Sequence, residues 1–189
     1  AQTGKHVPTI DELLTLKTVF AAQISPDGKW IAYTVGYGDF KQDAFVNQLW
    51  LADVTTGRTF QVTRSDKSSG SPRWSPDGTW LAFLSSRIED KNQIFAINPL
   101  GGESVQLTKS ETAINNFAWS QDGRTIAYLA TEPVPAVSKE RKEYMGDFEV
   151  IRKEYSFSHI WTFSVSDAFK APLVGKQRTK NKEFSVDSL

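Results

Sequence analysis

The 189-residue chain contains no cysteine. Disulfides, thiolate nucleophiles and zinc sites with sulfur ligands are therefore excluded. Histidine is nearly as scarce: His6 and His159 are the only imidazoles, and they lie far apart. No carboxylates cluster at ligand spacing either, so neither a metal site nor a cofactor is expected. An excess of one charge is missing too, because 22 Lys and Arg balance 22 Asp and Glu. A neutral chain offers no electrostatic case for nucleic acid or an anionic membrane as main partner. No apolar run is long enough to span a bilayer as a helix. The chain opens on Ala1-Gln2-Thr3-Gly4, small and polar and without an initiator Met. A chain reads this way after loss of a secretory leader, so a periplasmic or secreted bacterial protein is expected.

What the chain does have is aromatic and repetitive. Twelve Phe and six Trp argue against wholesale disorder and suit strands. Residues 24–33 read ISPDGKWIAY, residues 74–83 read WSPDGTWLAF, and residues 119–128 read WSQDGRTIAY. The turn aspartates Asp27, Asp77 and Asp122 are thus 50 and 45 residues apart. In each copy a Ser-Pro-Asp-Gly or Ser-Gln-Asp-Gly turn leads into alternating apolar and polar residues. Third strands follow at Leu49-Trp50-Leu51-Ala52, Ile94-Phe95-Ala96-Ile97 and Ile160-Trp161-Thr162-Phe163. Fourth strands carry Gln61-Val62-Thr63, Gln106-Leu107-Thr108 and Gln177-Arg178-Thr179. Four antiparallel strands per repeat of this length form the blade of a β-propeller.

The expected fold is therefore all-β, a partial β-propeller of three four-stranded antiparallel blades and the first strand of a fourth. The blades are placed at residues 19–63, 71–108 and 114–179, and the next one begins at 184–189, within an incomplete propeller spanning 19–189. Residues 1–18 precede them and hold a short helix, with Thr9 and Glu12 spaced for a capping box. The third repeat is longer, with an insert at 131–155 that is rich in charge of both signs. A propeller closes with roughly four to eight blades, so two blade faces are expected to be bare. The chain then reads as a portion of a longer protein, prone to self-association through free edges.

The repeats resemble the propellers of TolB and of the prolyl oligopeptidase family of serine peptidases. Among the latter, bacterial dipeptidyl-peptidases and acylaminoacyl-peptidases are the better match. Three stretches carry that likeness: Asp11-Glu12-Leu13-Leu14 running through Phe20 to Ser25-Pro26-Asp27-Gly28, Phe148 to Tyr155 followed by Ser158-His159-Ile160-Trp161, and Gly175 to Thr179. The resemblance implies a C-terminal α/β-hydrolase domain bearing a Ser-Asp-His triad, with the propeller covering it and short peptides as substrates. No G-x-S-x-G nucleophile elbow occurs here, so no catalytic residue carries over. The parent would be a peptidase and this chain its access filter. The alternative is a non-enzymatic periplasmic propeller of the TolB type that binds protein partners.

The insert is the expected point of contact with substrate. The loop after a blade's second strand emerges opposite the Ser-Pro-Asp-Gly turns, at the end that the resemblance places toward the hydrolase. Glu149, Arg152, Glu154 and Tyr155 are the expected substrate-binding residues, a carboxylate suiting a free α-amine and Arg a carboxylate. The competing reading of the same residues is a solvated, salt-bridged loop. The turn aspartates are read as backbone devices and the tryptophans Trp74, Trp80 and Trp119 as packing between blades. The basic run Lys170, Lys176, Arg178, Lys180 and Lys182 is read as a wet face.

Overall fold

Each repeated turn closes through its own side chains. Ser25 Oγ donates to Asp27 Oδ1 (2.6 Å), which also accepts from the Lys29 N–H, while Trp30 N–H donates to Ser25 Oγ. Ser75, Asp77, Thr79 and Trp80 repeat the arrangement, as do Ser120, Asp122, Arg124 and Thr125. The glycine that ends each turn, Gly28, Gly78 or Gly123, has φ of +72°, +72° or +68°. A side chain would strain that conformation, which turns the backbone into the next strand. Gln121 in place of proline leaves the third turn unchanged in these bonds.

The serine hydroxyl first, and the backbone N–H second, hold the Asp27, Asp77 and Asp122 carboxyls below the usual carboxylate value. A depressed folded pKa gives stability that is present above the unfolded value, about 3.9, and fades as pH falls through the folded one. Asp77→Asn is therefore expected to lower the urea midpoint at pH 7 and to leave it nearly unchanged at the lowest pH where the fold persists. A gap of equal size at both pH values would contradict this.

The structure is a computed structural model and describes residues 7–40, 43–133, 156–180 and 185–189. After helix α1 (Ile10–Leu14), capped by Thr9 and Glu12 in a capping box, come three four-stranded antiparallel sheets. The first holds β1 (Thr18–Ile24), β2 (Trp30–Asp39), β3 (Ala44–Asp53) and β4 (Thr59–Gln61) in that order. The second holds β5 (Ser69–Trp74), β6 (Leu81–Ser85), β7 (Gln93–Ile97) and β8 (Val105–Gln106). The third holds β9 (Ile114–Trp119), β10 (Thr125–Thr131), β11 (Ser158–Ser164) and β12 (Lys176–Gln177). The first strand of each sheet carries a bulge, marked in the first two by a left-handed Ala21 (φ 54°) and Ser71 (φ 53°). Bulges bend a strand and deepen its twist, as the inner strand of a radial sheet requires.

The sheets stack face to face. Ala32, Leu49 and Leu51 of the first meet Leu81, Phe83, Phe95 and Ile97 of the second. The opposite face of the second, Ala82, Leu84, Ile94 and Ala96, meets Ile114, Phe117, Ile126, Tyr128 and Phe163 of the third. Every residue of β6 and β7 is buried, and apart from Ser85 and Gln93 at their ends these strands are apolar runs instead of alternating ones. Two tryptophans stitch neighbours together: Trp74 Nε1 donates to Gln23 O (3.1 Å) and Trp119 Nε1 to Arg73 O (3.3 Å). The turns nest as well, since a Cβ on Gly78 would lie 3.6 Å from Pro26 Cδ and one on Gly123 3.5 Å from Pro76 Cδ. The inner strands β1, β5 and β9 neighbour one another in turn, giving an open run of three blades and no closed barrel.

The third blade has a feature that the repeat pattern does not announce. Between β11 and β12 the chain forms helix α2 (Val165–Ala168) and then reaches back to the second blade. Leu173 makes a parallel bridge with Thr108, its N–H bonding Leu107 O and its carbonyl accepting from Lys109 N–H. Gly175 N–H donates to Tyr128 Oη (3.0 Å), and a Cβ there would collide with the Tyr128 ring and crowd Thr162 O. Beyond β12, Ser185–Leu189 carry no strand, and Val186 N–H donates to Ser158 O at the start of β11.

Candidate functional site

Alternation of antiparallel connections gives the blades two ends. One carries the Ser-x-Asp-Gly turns; the other carries the links from second to third strands and from blade to blade. The long insert leaves from this second end. Its roots are joined where Thr131 pairs with Ser158 and Glu132 N–H donates to Phe157 O (3.0 Å). Glu149, Arg152, Glu154 and Tyr155 lie outside the described residues, as do His6 and Lys182.

Beside those roots His159 is fully buried. Its Nδ1 is 3.2 Å from Thr179 Oγ1, and its Nε2 is 2.8 Å from Glu132 Oε1, close but out of line for a hydrogen bond. Carboxylate, imidazole and hydroxyl in sequence have the outline of a catalytic triad. The other two blades show why they are not one. In the first, Thr63 Oγ1 accepts from Leu49 N–H and donates to Gln48 Oε1. In the second, Thr108 Oγ1 accepts from Ile94 N–H and donates to Gln93 Oε1. In the third, Thr179 Oγ1 accepts from Ile160 N–H, and His159 occupies the glutamine's place. Gln48 and Gln93 use Nε2 to bond Ser65 O and Ser110 O, and His159 Nε2 faces Glu132 instead. The hydroxyl is thus engaged in holding the outer strand onto its neighbour, as in the other two blades.

This equivalence was visible in the sequence, because Gln48, Gln93 and His159 each stand two residues before the aromatic of a third strand. The repeat reading tracked the Gln-x-Thr of the fourth strand and missed its partner. His159→Gln is accordingly expected to keep the urea midpoint within about 1 kcal/mol of wild type, whereas His159→Leu removes the side-chain partner of the Thr179 hydroxyl and costs about 1–3 kcal/mol. Equal loss in both variants would contradict the equivalence.

At the turn end, a cleft of about 820 Å³ opens between the second and third blades. Trp80, Trp119 and Phe169 form its apolar wall, with the Trp80 and Phe169 rings 4.5 Å apart. Asp77, Asp122 and Arg124 rim it, but both carboxylates are already engaged in their turns. Of the basic run, Lys170 pairs with Asp167 and Arg178 Nε donates to Thr162 Oγ1. Among the described residues no three His, Asp or Glu side chains group as metal ligands, and no helix is long and apolar enough to cross a membrane.

Comparison with known proteins agrees with this geometry. The family model described as the TolB beta propeller domain matches residues 11–133. An uncharacterized peptidase, YuxL of Bacillus subtilis, is 34% identical over 97 residues, covering 51% of this chain and 15% of the relative. Dipeptidyl-peptidase 5 of Porphyromonas gingivalis is 31% identical over 84 residues, covering 44% of this chain and 12% of the relative. Among solved structures, the acylaminoacyl peptidase of Pyrococcus horikoshii superposes with a TM-score of 0.62 at 15% identity, over 82% of this chain and 24% of that one. The matched region is thus less than a quarter of the length of each of these three proteins.

Proposed function

The chain belongs to the TolB beta propeller domain family, and from that premise we propose that it forms part of the N-terminal propeller of an exported serine peptidase. The observation that carries the reading is the likeness to two curated peptidases at 34% and 31% identity, together with an insert at the blade end opposite the turns. In this reading an α/β-hydrolase domain of the parent supplies the chemistry, and the propeller admits short peptides and excludes folded protein. The insert residues Glu149, Arg152, Glu154 and Tyr155 contact the substrate's charged end or the hydrolase surface. A carboxylate there pairs with a peptide α-amine, and an arginine forks onto a carboxylate. The periplasm is the proposed compartment.

The test uses the full-length polypeptide. Glu149→Ala and Arg152→Ala are expected to lower kcat/KM on short peptides with little change in thermal midpoint; unchanged kcat/KM in both removes the substrate-contact role. A second reading, a non-enzymatic propeller that binds protein partners, is supported by the TolB description of the family model itself. It is separated from the first by whether the full-length polypeptide carries a serine that reacts with a fluorophosphonate probe.

A further inference from the structure

Nine residues after the turn glycine, the three blades carry Tyr37, Arg87 and Glu132 at equivalent places. Tyr37 lies near the end of β2, whereas Arg87 and Glu132 follow β6 and β10, all toward the end from which the insert departs. In the third blade Glu132 is occupied by His159. In the second blade the guanidinium of Arg87 is held without a carboxylate among the described residues.

Its surroundings fix its position. The Arg87 Cζ lies 4.8 Å from the Phe95 ring centroid and 5.4 Å from that of Phe83. Nε donates to Ser85 Oγ (3.1 Å), Nη1 to Ser104 Oγ (2.7 Å) and Nη2 to Ser69 Oγ (3.2 Å). The hydroxyls beneath are oriented by their own bonds, Ser69 Oγ donating to Ser85 Oγ and Ser85 Oγ to Ser68 O. Three of the five guanidinium N–H groups are thereby used, leaving one on each Nη. Burial alone pulls the Arg87 pKa down, with no neighbouring charge offsetting it. The acids of the same loop are engaged elsewhere: Asp90 pairs with Lys67 and Glu89 with Lys91. Glu103, beside Ser104, is exposed and makes no ion pair with Arg87.

A half-buried guanidinium with neutral partners is an unusual expense in a fold, because removing a cation from water is offset well only by an anion. Its planar fork is immobilised in advance between two rings and three hydroxyls, so little side-chain entropy remains to be lost on binding. We propose that Arg87 is a carboxylate-binding site on the second blade, at the end where the insert departs, and that its ligand is a carboxylate borne by a peptide. The guanidinium site stands on the geometry alone; the peptide as the source of the carboxylate rests on the reading in the preceding section. The carboxylate accepts from the two remaining Nη N–H groups, in the paired geometry at which arginine excels.

The experiment is an NMR titration of the ¹⁵N-labelled 189-residue chain, following the Arg87 Nε–Hε signal in the wild type and, in both wild type and Arg87→Lys, the backbone amides of Ser85 and Ser104 beside it. The probes are N-acetyl-dialanine, N-acetyl-glutamate α-amide and, as the neutral control, N-acetyl-dialanine amide. The first two place the carboxylate at a peptide end and on a side chain. The site predicts a saturable shift with at least one carboxylate, none with the neutral amide, and about tenfold weaker binding in Arg87→Lys, which keeps the charge and loses the fork. No saturable shift with either carboxylate, equal shifts with the amide, or unaltered affinity in Arg87→Lys overturns the proposal. Should Arg87→Lys fail to fold, the wild-type titration with its amide control decides alone. Failure here leaves the peptidase reading intact, since that reading is tested on the full-length polypeptide.

Discussion

Phe83→Ala is expected to lower the stability of the chain by about 3–5 kcal/mol. Phe83 is fully buried between the first two blades, its ring stacked 5.9 Å from that of Phe95 at 23°. Truncation removes the transfer energy of the ring, leaves a cavity that β6 and β7 cannot close, and forfeits the aromatic pair. A domain this size is stable by only about 5–15 kcal/mol, so the variant should unfold at a markedly lower urea concentration with unchanged slope. Phe45→Ala is the control, because Phe45 is 78% exposed and its loss should cost little. Equal midpoints for the two variants would mean that the first and second blades are not packed as described. Phe83 also floors the Arg87 site, so its loss should weaken carboxylate binding there as well.

The second large effect is expected at Thr108, whose hydroxyl is fully buried. Thr108→Val keeps the shape and removes a hydroxyl that accepts from Ile94 N–H and donates to Gln93 Oε1, both at 2.9 Å. Gln93 Oε1 retains the Ser110 N–H, but the Ile94 N–H is left without a partner in the interior. A stranded buried donor costs about 1–3 kcal/mol, on top of the lost bond. Thr108→Ser keeps the hydroxyl and forfeits only a methyl, worth about 0.8 kcal/mol. The leucine strap would feel the change too, since Leu173 bridges at Thr108 itself. If valine and serine prove equally costly, the hydroxyl is not what fastens β8 to β7.

How much of this was legible in the sequence follows from what each feature depends on. The turns were legible because their chemistry is local: Ser25, Asp27 and Gly28 satisfy one another within a few residues, and a local device repeats wherever its residues repeat. The strands of the blades were legible through Trp30-Ile31-Ala32-Tyr33 and its counterparts, and the helix cap through Thr9 and Glu12. Trp74 and Trp119 were expected to pack between blades, and they do; their N–H bonds to Gln23 O and Arg73 O depend on how two sheets are juxtaposed. The strap at Leu173 was not legible for the same reason, since a single bridge to another blade leaves no periodic trace. Arg87 carries no motif or periodic signal that marks it in the sequence. Only when Ser69, Ser85 and Ser104 converge on it from three separate stretches of chain does its lack of a carboxylate among the described residues become apparent.

The three sheets are stacked so that the middle one is covered on both faces. Amide hydrogen exchange resolved by residue tests this most directly. The amides of β6 and β7 should exchange slowest in the molecule, near the rate set by global unfolding, while those of β1 and β12, at the two open flanks, exchange much faster. Exchange in β6 and β7 as rapid as in β1 would show the middle sheet to be uncovered, and the stacked-blade arrangement would be wrong.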